Sequence, residues 1–307
     1  MKILLSGATG FIGSNISNQL LKNGDDVYAT HRNTSSFEKC SLFFNQINWI
    51  NTDKTGWKED VKALKPDQLI HAAWEGIEVE DRNNWSIQIR NFWFSKEYFD
   101  LAKECEIKRI IALGSQAEYG IQDIPVTETT VPRPNDAYGA VKTLTANYLR
   151  NLFEGSSTEW YWIRIFSVFG NGENSKCLIP MVITRLLKNE PVKLTSCEQR
   201  YNYLHIDDFV ASLLKVVEST GNKSGIYNIC HSRSVVLKDL LLIIADLLNV
   251  DSGLLLFGSL PQRIGQNMLI EGDNSKFRNC FDVENSFFTD ITSGLAKSIQ
   301  KFRNKVL

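Results

Sequence analysis

The feature that most constrains the fold is a glycine-rich stretch near the N-terminus, Gly7-Ala8-Thr9-Gly10-Phe11-Ile12-Gly13. It follows a short apolar run, typical of a buried parallel strand, and precedes apolar residues at helical spacing. A strand, a glycine turn and a helix in this order bind a dinucleotide pyrophosphate, because the backbone can approach the phosphates and the helix N-terminus attracts an anion. The alternative is a glycine turn without a ligand, which the position directly after a strand disfavours.

Composition narrows the function classes. The 307 residues carry 34 Lys and Arg against 35 Asp and Glu, and a formal net charge of -1 argues against nucleic acid or an anionic membrane surface as a partner. The six cysteines are scattered without a C-x-x-C pair, so we expect no metal site and reduced thiols in a cytoplasmic protein. No apolar stretch approaches the roughly 20 residues that span a bilayer, and the N-terminal run is too short for a signal peptide. We therefore expect no membrane insertion.

Apolar runs that alternate with helical patterns predict a parallel sheet. The alternation indicates an α/β fold of the Rossmann type, a doubly wound parallel sheet with a smaller α/β lobe that binds substrate. We expect the dinucleotide-binding domain at 1–168 plus about 203–230, and the smaller lobe at about 169–202 and 231–307. The predicted strands of the sheet are 3–5, 26–30, 47–51, 68–72, 108–113, 160–166 and 225–229.

The end of the second predicted strand bears on the choice of cofactor. An acidic residue there accepts hydrogen bonds from the adenosine ribose and favours NAD, whereas a basic residue can pair with the 2′-phosphate of NADP. The chain has His31-Arg32 and no carboxylate there, and a guanidinium matches phosphate geometry. We favour NADP(H) over NAD on this ground, with a solvated surface arginine as the alternative. Asp53, after the third strand, either accepts from the adenine amino group or caps a helix.

A second motif combines a tyrosine and a lysine one helical turn apart. Tyr138 and Lys142 are four residues apart in a helical pattern and therefore share a helix face. A free phenol titrates near pH 10, and a neighbouring ammonium stabilises the phenolate enough for acid–base work. Ser115, at the end of the fifth strand, would place a hydroxyl beside the phenol. The alternative is an ordinary helix surface, which the position after five strand–helix units disfavours.

Together these motifs resemble an extended short-chain dehydrogenase/reductase of the nucleotide-sugar epimerase/dehydratase type, over nearly the whole chain. The marks are the glycine stretch, His71-Ala72-Ala73, Tyr119-Gly120 after the serine, and the tyrosine–lysine pair. The resemblance implies that Ser115, Tyr138 and Lys142 are catalytic, with Tyr138 exchanging a proton while the nicotinamide exchanges a hydride. The predicted cofactor-binding residues are Gly7, Thr9, Gly10, Phe11, Ile12, Gly13, His31, Arg32, Asp53, Ala72, Ala73, Trp74, Asn91, Tyr138 and Lys142.

The second half carries stretches that resemble the substrate-binding elements of the same family. Ser167 lies in one that resembles the lining of the sugar pocket, and Arg200 and Arg263 lie in stretches that resemble contacts to the diphosphate. Two separated arginines suit a pyrophosphate because each offers a fork of donors, and a surface ion pair is the alternative for either. Asp207-Asp208 indicates a helix cap rather than a metal site. The predicted partner is a nucleotide-diphosphate sugar, and the predicted substrate residues are Gln116, Ser167, Arg200 and Arg263.

The residues directly after Ser115 separate the possible reactions. Sugar 4,6-dehydratases of this family carry an Asp-Glu pair there, whereas this chain has Gln116-Ala117, neither of which acts as a general acid. Two reactions remain: one reduction of a 4-keto sugar with release of NADP, or an NAD-dependent 4-epimerisation. Arg32 favours the reductase, and residues 115–120 and 260–263 resemble ketoreductases of deoxysugar pathways, such as those making CDP-abequose and CDP-paratose for O-antigens. A non-catalytic NADP-binding sensor is the third alternative; such proteins typically lack the tyrosine–lysine pair.

The resemblance also implies a homodimer through a four-helix interface formed by the helices that hold Asn91 and Tyr138. The aromatic residues at 92–94 and 98 fit such an interface. Packing inside the subunit is the other use of these side chains, and the sequence leaves the two open.

Overall fold

The apolar runs of the sequence form the strands. The computed structural model describes residues 1–221, 223–262 and 265–306. The strands are β1 (Lys2–Ser6), β2 (Asp26–His31), β3 (Asn48–Asn51), β4 (Gln68–His71), β5 (Arg109–Ser115), β6 (Glu159–Ile165), β7 (Ser167–Phe169), β8 (Val192–Lys193), β9 (Arg200–Tyr201), β10 (Tyr203–His205), β11 (Gly225–Ile229), β12 (Val235–Val236), β13 (Leu255–Leu256) and β14 (Leu269–Ile270).

The central sheet confirms the predicted doubly wound architecture. Within the described residues it has seven strands in the order β11-β6-β5-β4-β1-β2-β3, and every neighbouring pair is parallel. The chain runs outward from β1 to β3, then crosses to β4 and continues to the other edge. The strand order therefore reverses between β1 and β4, and ligands of such sheets bind beyond the carboxyl ends of the strands at this reversal.

Helices cover both faces of the sheet and build the smaller lobe. The helices are α1 (Phe11–Lys22), α2 (Trp57–Leu64), α3 (Trp85–Glu104), α4 (Ala137–Phe153), α5 (Leu178–Leu187), α6 (Ile206–Glu218), α7 (Leu237–Leu248), α8 (Ser275–Phe281) and α9 (Ile291–Val306). Helices α3 and α4 pack together on one face of the sheet, whereas α1 and α6 pack on the other.

Separate apolar cores hold these layers together. Ile16 and Phe209 are buried between the sheet and its α1/α6 face, and Phe99 and Leu149 are buried on the α3/α4 face. Burial on both faces explains why the strands read as continuous apolar runs rather than alternating ones. A further core joins α5, α7 and α9 and draws on both segments of the predicted smaller lobe. The exact division into two lobes stays a prediction.

The predicted cap of α6 is wrong, and so is one of the two alternatives for Asp53. The cap of α6 is His205, whose ring accepts from the Asp207 N–H, while the Asp208 carboxylate accepts from the N–H and the hydroxyl of Thr289, both at 2.9 Å. The sequence pattern did not show that a carboxylate in the first turn of α6 has a partner 81 residues away. Helix α2 begins after Gly56, so Asp53 caps no helix.

Candidate active site

The glycine stretch forms a tight turn between β1 and α1. Gly7 has φ of 79°, and a Cβ there would lie 2.6 Å from the Ala73 nitrogen at the end of β4. A Cβ on Gly13 would lie 2.0 Å from the Gly7 carbonyl oxygen. These positions admit only glycine because the turn, the helix and the next strand approach one another at backbone distance. No side chain caps α1 at Gly10, so the first N–H groups of this helix are left to a ligand.

A cavity of about 370 Å³ opens beside this turn at the reversal of strand order. Its size and its mixture of backbone, hydroxyl, amide and guanidinium groups suit part of a dinucleotide. The predicted cofactor residues on its wall are Gly7, Thr9, Gly10, His31, Arg32, Ala72, Ala73, Trp74 and Asn91; the sequence did not point to Thr30, Ser35, Thr52, Glu75, Arg90, Phe94 and Tyr98.

Three predicted cofactor residues lie in the first turn of α1 and off this wall. Phe11 and Ile12 are half-buried and pack against the core beneath that turn, and Gly13 is buried. Asp53 is also off the wall, and its carboxylate accepts from the Asn33 N–H at 2.7 Å. The predicted contact of Asp53 with adenine stays a prediction.

Arg32 has a partner that the sequence did not indicate. Its guanidinium forms an ion pair with Glu75, which follows Trp74 after β4. Arg90 of α3 lies on the other side, with 4.0 Å between its Nη2 and Glu75 Oε2. One carboxylate therefore stands between two arginines on the wall of the cavity. A ligand phosphate would have to compete with Glu75 for Arg32.

Asn91 fixes the backbone that carries Glu75. Its side-chain oxygen accepts from the Glu75 N–H at 2.8 Å, and its amide donates to the Glu75 carbonyl at 3.0 Å. The side chain is buried, so both bonds replace water that this backbone would otherwise need. Asn91 thus steadies the chain directly after β4.

His71 is a structural residue. It lies between the hydroxyls of Ser6 and Ser95, at 2.8 and 2.9 Å, and joins β4 to β1 and α3. Burial lowers the pKa of His71 to about 3, and the Lys142 charge adds to this. The ring is therefore neutral and does not act as an acid.

The predicted catalytic residues meet at the carboxyl end of β5. Ser115 is the last residue of β5, Tyr138 and Lys142 lie on one face of α4, and the Ser115 hydroxyl is near enough to the Tyr138 phenol to lower its pKa. The Lys142 Nζ lies 5.9 Å from the Tyr138 ring centroid and 3.6 Å from the Trp74 ring centroid. It also donates to the Leu113 carbonyl at 2.6 Å. The structure thus brings all three together beside the wall of the cavity.

Burial controls the charge of this trio. It lowers the pKa of Lys142 to about 7, against the opposing effect of the Glu118 carboxylate. Burial also raises the pKa of Tyr138, while the Ser115 hydroxyl and the Arg82 guanidinium lower it, and the balance lies above the ordinary value. Tyr138 is therefore a protonated phenol at neutral pH, ready to donate to an oxygen.

Glu118 holds the backbone of Ser115 in place, a role that the sequence did not reveal. Its Oε1 accepts from the Ser115 N–H at 2.9 Å and from the Trp162 indole at 2.8 Å. Its Oε2 accepts from Arg164 Nε at 2.8 Å, and both side chains of this ion pair are buried. The pair sets the backbone of Ser115, because the carboxylate bonds that residue's own N–H.

Three of the four predicted substrate residues lie in the described part of the chain. Gln116 lines a narrow crevice with Tyr119, Phe166 and Asn267, whose amide donates to the Gly120 carbonyl at 3.2 Å. Ser167 opens β7 and is half-buried. Arg200 is exposed on β9, beside β14. Arg263 lies outside the described residues.

The described part of the chain has neither a cluster of metal-ligating side chains nor a helix that could span a membrane. No group of three or more His, Cys, Asp or Glu side chains there is placed to hold a metal ion. Nor does any helix of those residues have the length and apolar character needed to cross a bilayer.

Comparison with known proteins gives a family match over most of the chain. The sequence model of the NAD dependent epimerase/dehydratase family matches residues 3–230. A CDP-abequose synthase of Yersinia pseudotuberculosis is 23% identical over 97% of this chain and 100% of its own length. A dTDP-6-deoxy-L-talose 4-dehydrogenase (NAD(+)) of Aggregatibacter actinomycetemcomitans is 25% identical over 76% of this chain and 85% of its own.

Solved structures show the same fold. A UDP-glucuronic acid 4-epimerase variant of Bacillus cereus, in complex with a fluorinated UDP-glucuronic acid and NAD, superposes with a TM-score of 0.87 at 18% identity. The match covers 99% of this chain and 100% of that one. The chain therefore has the same fold as that protein.

Proposed function

The chain belongs to the NAD dependent epimerase/dehydratase family, and on that premise we propose that it reduces the C4 keto group of a nucleotide-linked 4-keto-6-deoxyhexose with NADPH. The observation that carries the proposal is the placement of Ser115, Tyr138 and Lys142 together beside Trp74, which lies on the wall of the cavity. Gln116 and Ala117 follow the serine and offer no acid for dehydration. The two curated relatives, which are named for deoxysugar reactions, support the same substrate class.

The residues of the chain divide the work of a carbonyl reduction. Ser115 and Tyr138 donate hydrogen bonds to the C4 oxygen and fix the carbonyl against the cofactor cavity. A bound nicotinamide would supply the hydride. Tyr138 gives its proton to the oxygen as negative charge develops there, and the Lys142 ammonium stabilises the phenolate that remains. The product alcohol gains one hydride and one proton, so the reaction balances.

The proposed cofactor is NADP(H). The wall of the cavity has no carboxylate at the end of β2, and Arg32 there supports the proposal because a guanidinium matches the geometry of a 2′-phosphate. Arg90 adds a second guanidinium across the same cavity. Arg32 and Arg90 carry two positive charges and Glu75 carries one negative charge, so a net positive charge remains to attract the phosphate.

The second candidate is an NAD-dependent 4-epimerase. The ion pair between Glu75 and Arg32 favours it, because an engaged arginine offers less to a 2′-phosphate. The epimerase noted above binds NAD, although its sequence identity to this chain is too low to transfer its activity.

We also propose that Arg200 and Arg263 hold the diphosphate of the substrate, with Gln116 and Ser167 near the sugar. We propose further that the chain works as a homodimer.

The test is cofactor oxidation by NADPH and NADH, separately, on CDP-, dTDP-, GDP- and UDP-linked 4-keto-6-deoxyhexoses. We expect NADPH consumption with one of them, and Tyr138→Phe should lose most turnover yet bind cofactor as the wild type does. Interconversion of unoxidised nucleotide sugars without added cofactor would establish the epimerase instead. Tight NADP binding with no reaction on any sugar would indicate a sensor.

A further inference from the structure

The segment between β4 and α3 is tied to the first turns of α3. Gln88 is fully buried, and its amide donates to the carbonyls of Gly76 at 2.7 Å and Asp81 at 3.2 Å. Its oxygen accepts from the Trp74 indole at 2.9 Å. One glutamine therefore fixes both ends of this segment. Arg82 is the residue after Asp81, so the hydrogen bond from Gln88 to the Asp81 carbonyl also fixes the backbone position of Arg82.

Arg82 reaches the start of the catalytic helix by three contacts. The Arg82 guanidinium carbon lies 4.6 Å from the Tyr138 ring centroid. Its Nε donates to Asp136 Oδ2 at 2.8 Å, and Asp136 is also the N-cap of α4 through the Gly139 N–H at 2.7 Å. Its own carbonyl accepts from the Tyr138 N–H at 2.9 Å. The backbone and the ring of Tyr138 are thus both held by one residue.

We propose that Arg82 is a positioning residue, which holds the Tyr138 phenol against Ser115 and places a fixed positive charge over its ring. The inference rests on the proposed function for its kinetic consequences only, since the contact itself is independent of the substrate. The planar guanidinium of Arg82 makes two contacts at once: it stacks on the Tyr138 ring and forms an ion pair with Asp136, the N-cap of α4. A lysine cannot make both contacts in this geometry.

The charge of Arg82 acts on the phenol among several others. On α4 the charged neighbours are Asp136 and Lys142, and from the turn after β5 Glu118 also faces the phenol. Arg82 lowers the pKa of Tyr138, whereas Glu118 and Asp136 raise it. Its side chain is 31% exposed, so solvent screens the effect. We expect its removal to raise the Tyr138 pKa, because the buried phenolate then loses a nearby positive charge.

The first readout needs no substrate. Proteins labelled with ¹³C at the tyrosine Cζ are titrated by NMR, and the Tyr138 signal is assigned by its loss in Tyr138→Phe. We expect Arg82→Gln to move the Tyr138 midpoint to higher pH and Arg82→Lys to restore part of the shift. Arg150→Gln removes an exposed charge from the last turns of α4, roughly 18 Å along the same helix, and should leave the midpoint unchanged.

The second readout is the pH profile of alcohol oxidation with NADP, which requires the phenolate. We expect the acid limb of kcat/KM to move up with the Tyr138 midpoint in Arg82→Gln. At pH 8 this is a loss of about three- to tenfold that recovers at higher pH. The KM for NADP should stay unchanged, because Arg82 is off the cavity wall.

The outcomes separate this proposal from the proposed function. An unchanged Tyr138 midpoint in Arg82→Gln would overturn it, as would a rate loss that is equal at every pH. A shifted midpoint in a protein that turns over no sugar would support the proposal and leave the assigned reaction wrong.

Discussion

Lys142 combines a buried position with a role that requires charge. Its side chain is 4% exposed, and burial lowers its pKa from 10.5 to about 7. The unfolded chain therefore binds this proton more readily than the folded protein between about pH 7 and 10.5. Stability rises with pH across this window, and the full cost of burying the ammonium is present below about pH 7. The buried ammonium thus destabilises the protein below about pH 7, where the proposed role of Lys142 needs its charge.

We predict that Lys142→Met is more stable than the wild type and inactive. An apolar side chain removes the cost of the buried amine but leaves the Leu113 carbonyl without its donor, so we expect a net gain of about 1–3 kcal/mol at pH 6.5. The gain should be lost by about pH 10, where the amine is neutral in the folded protein and most of the cost of burying its charge is gone. Urea unfolding at both values measures the difference.

The matched comparison is Lys142→Arg, which keeps a charge that does not titrate in this range. It should lose stability at both pH values, because a larger cation occupies the same buried place. A gain for Lys142→Met that is equal at pH 6.5 and 10 would contradict a depressed pKa for this amine.

At the scale of elements, the turn between β1 and α1 depends on contact between backbones. We predict that Gly13→Ala lowers the free energy of unfolding by about 1–3 kcal/mol and weakens NADPH binding at least about tenfold. Its Cβ would lie 2.0 Å from the Gly7 carbonyl, so α1 must move away from the turn that faces the phosphates. Urea unfolding and calorimetric titration with NADPH measure the two effects.

Gly24→Ala is the control at the other end of α1. Gly24 has φ of 81° with nothing within 4 Å of an added Cβ, so its cost is backbone strain alone, about 1 kcal/mol. Cofactor affinity should be that of the wild type. Equal affinity in both variants would show that the spacing of turn and helix does not matter for binding.

At the scale of the whole molecule, the aromatic residues of α3 divide between buried and exposed positions. Tyr98 is buried and Phe94 lines the cofactor cavity, whereas Trp93 is 60% exposed. On α4, Leu144 is 43% exposed. Such apolar side chains on the outer faces of two packed helices suit a partner subunit. The proposed homodimer would cover them.

We predict that the wild type sediments as a dimer and that Trp93→Glu sediments as a monomer of 34.9 kDa. A carboxylate at the centre of an apolar interface loses its water without gaining a partner. Leu42→Glu is the control, since Leu42 is 95% exposed and belongs to the connection between β2 and β3. A monomeric wild type, or a dimer that survives Trp93→Glu, would contradict this interface.

The sequence predicted the features that depend on local pattern. Apolar runs placed the strands of the sheet, and the spacing of Tyr138 and Lys142 placed both on one face of α4 beside Ser115. These predictions succeed because strand burial and helix periodicity are written in neighbouring residues.

The side-chain contacts that the sequence did not predict join residues that are far apart along the chain. Glu75 pairs with Arg32 across 43 residues, and Arg82 meets Asp136 across 54. No local pattern marks either pairing, and both lie on irregular segments whose path is set by tertiary contacts such as those of Gln88. The support around an active site is therefore harder to predict than its reacting groups.

The most direct test of the proposed reaction uses NADPH that carries deuterium at the transferable position of nicotinamide C4, with the 4-keto sugar identified in the panel. The proposed reduction predicts one deuterium at C4 of the sugar for each NADPH oxidised, and Tyr138→Phe should abolish both. Sugar that is converted without net loss of NADPH, or that gains no deuterium at C4, would contradict the assignment of this chain as a 4-ketoreductase.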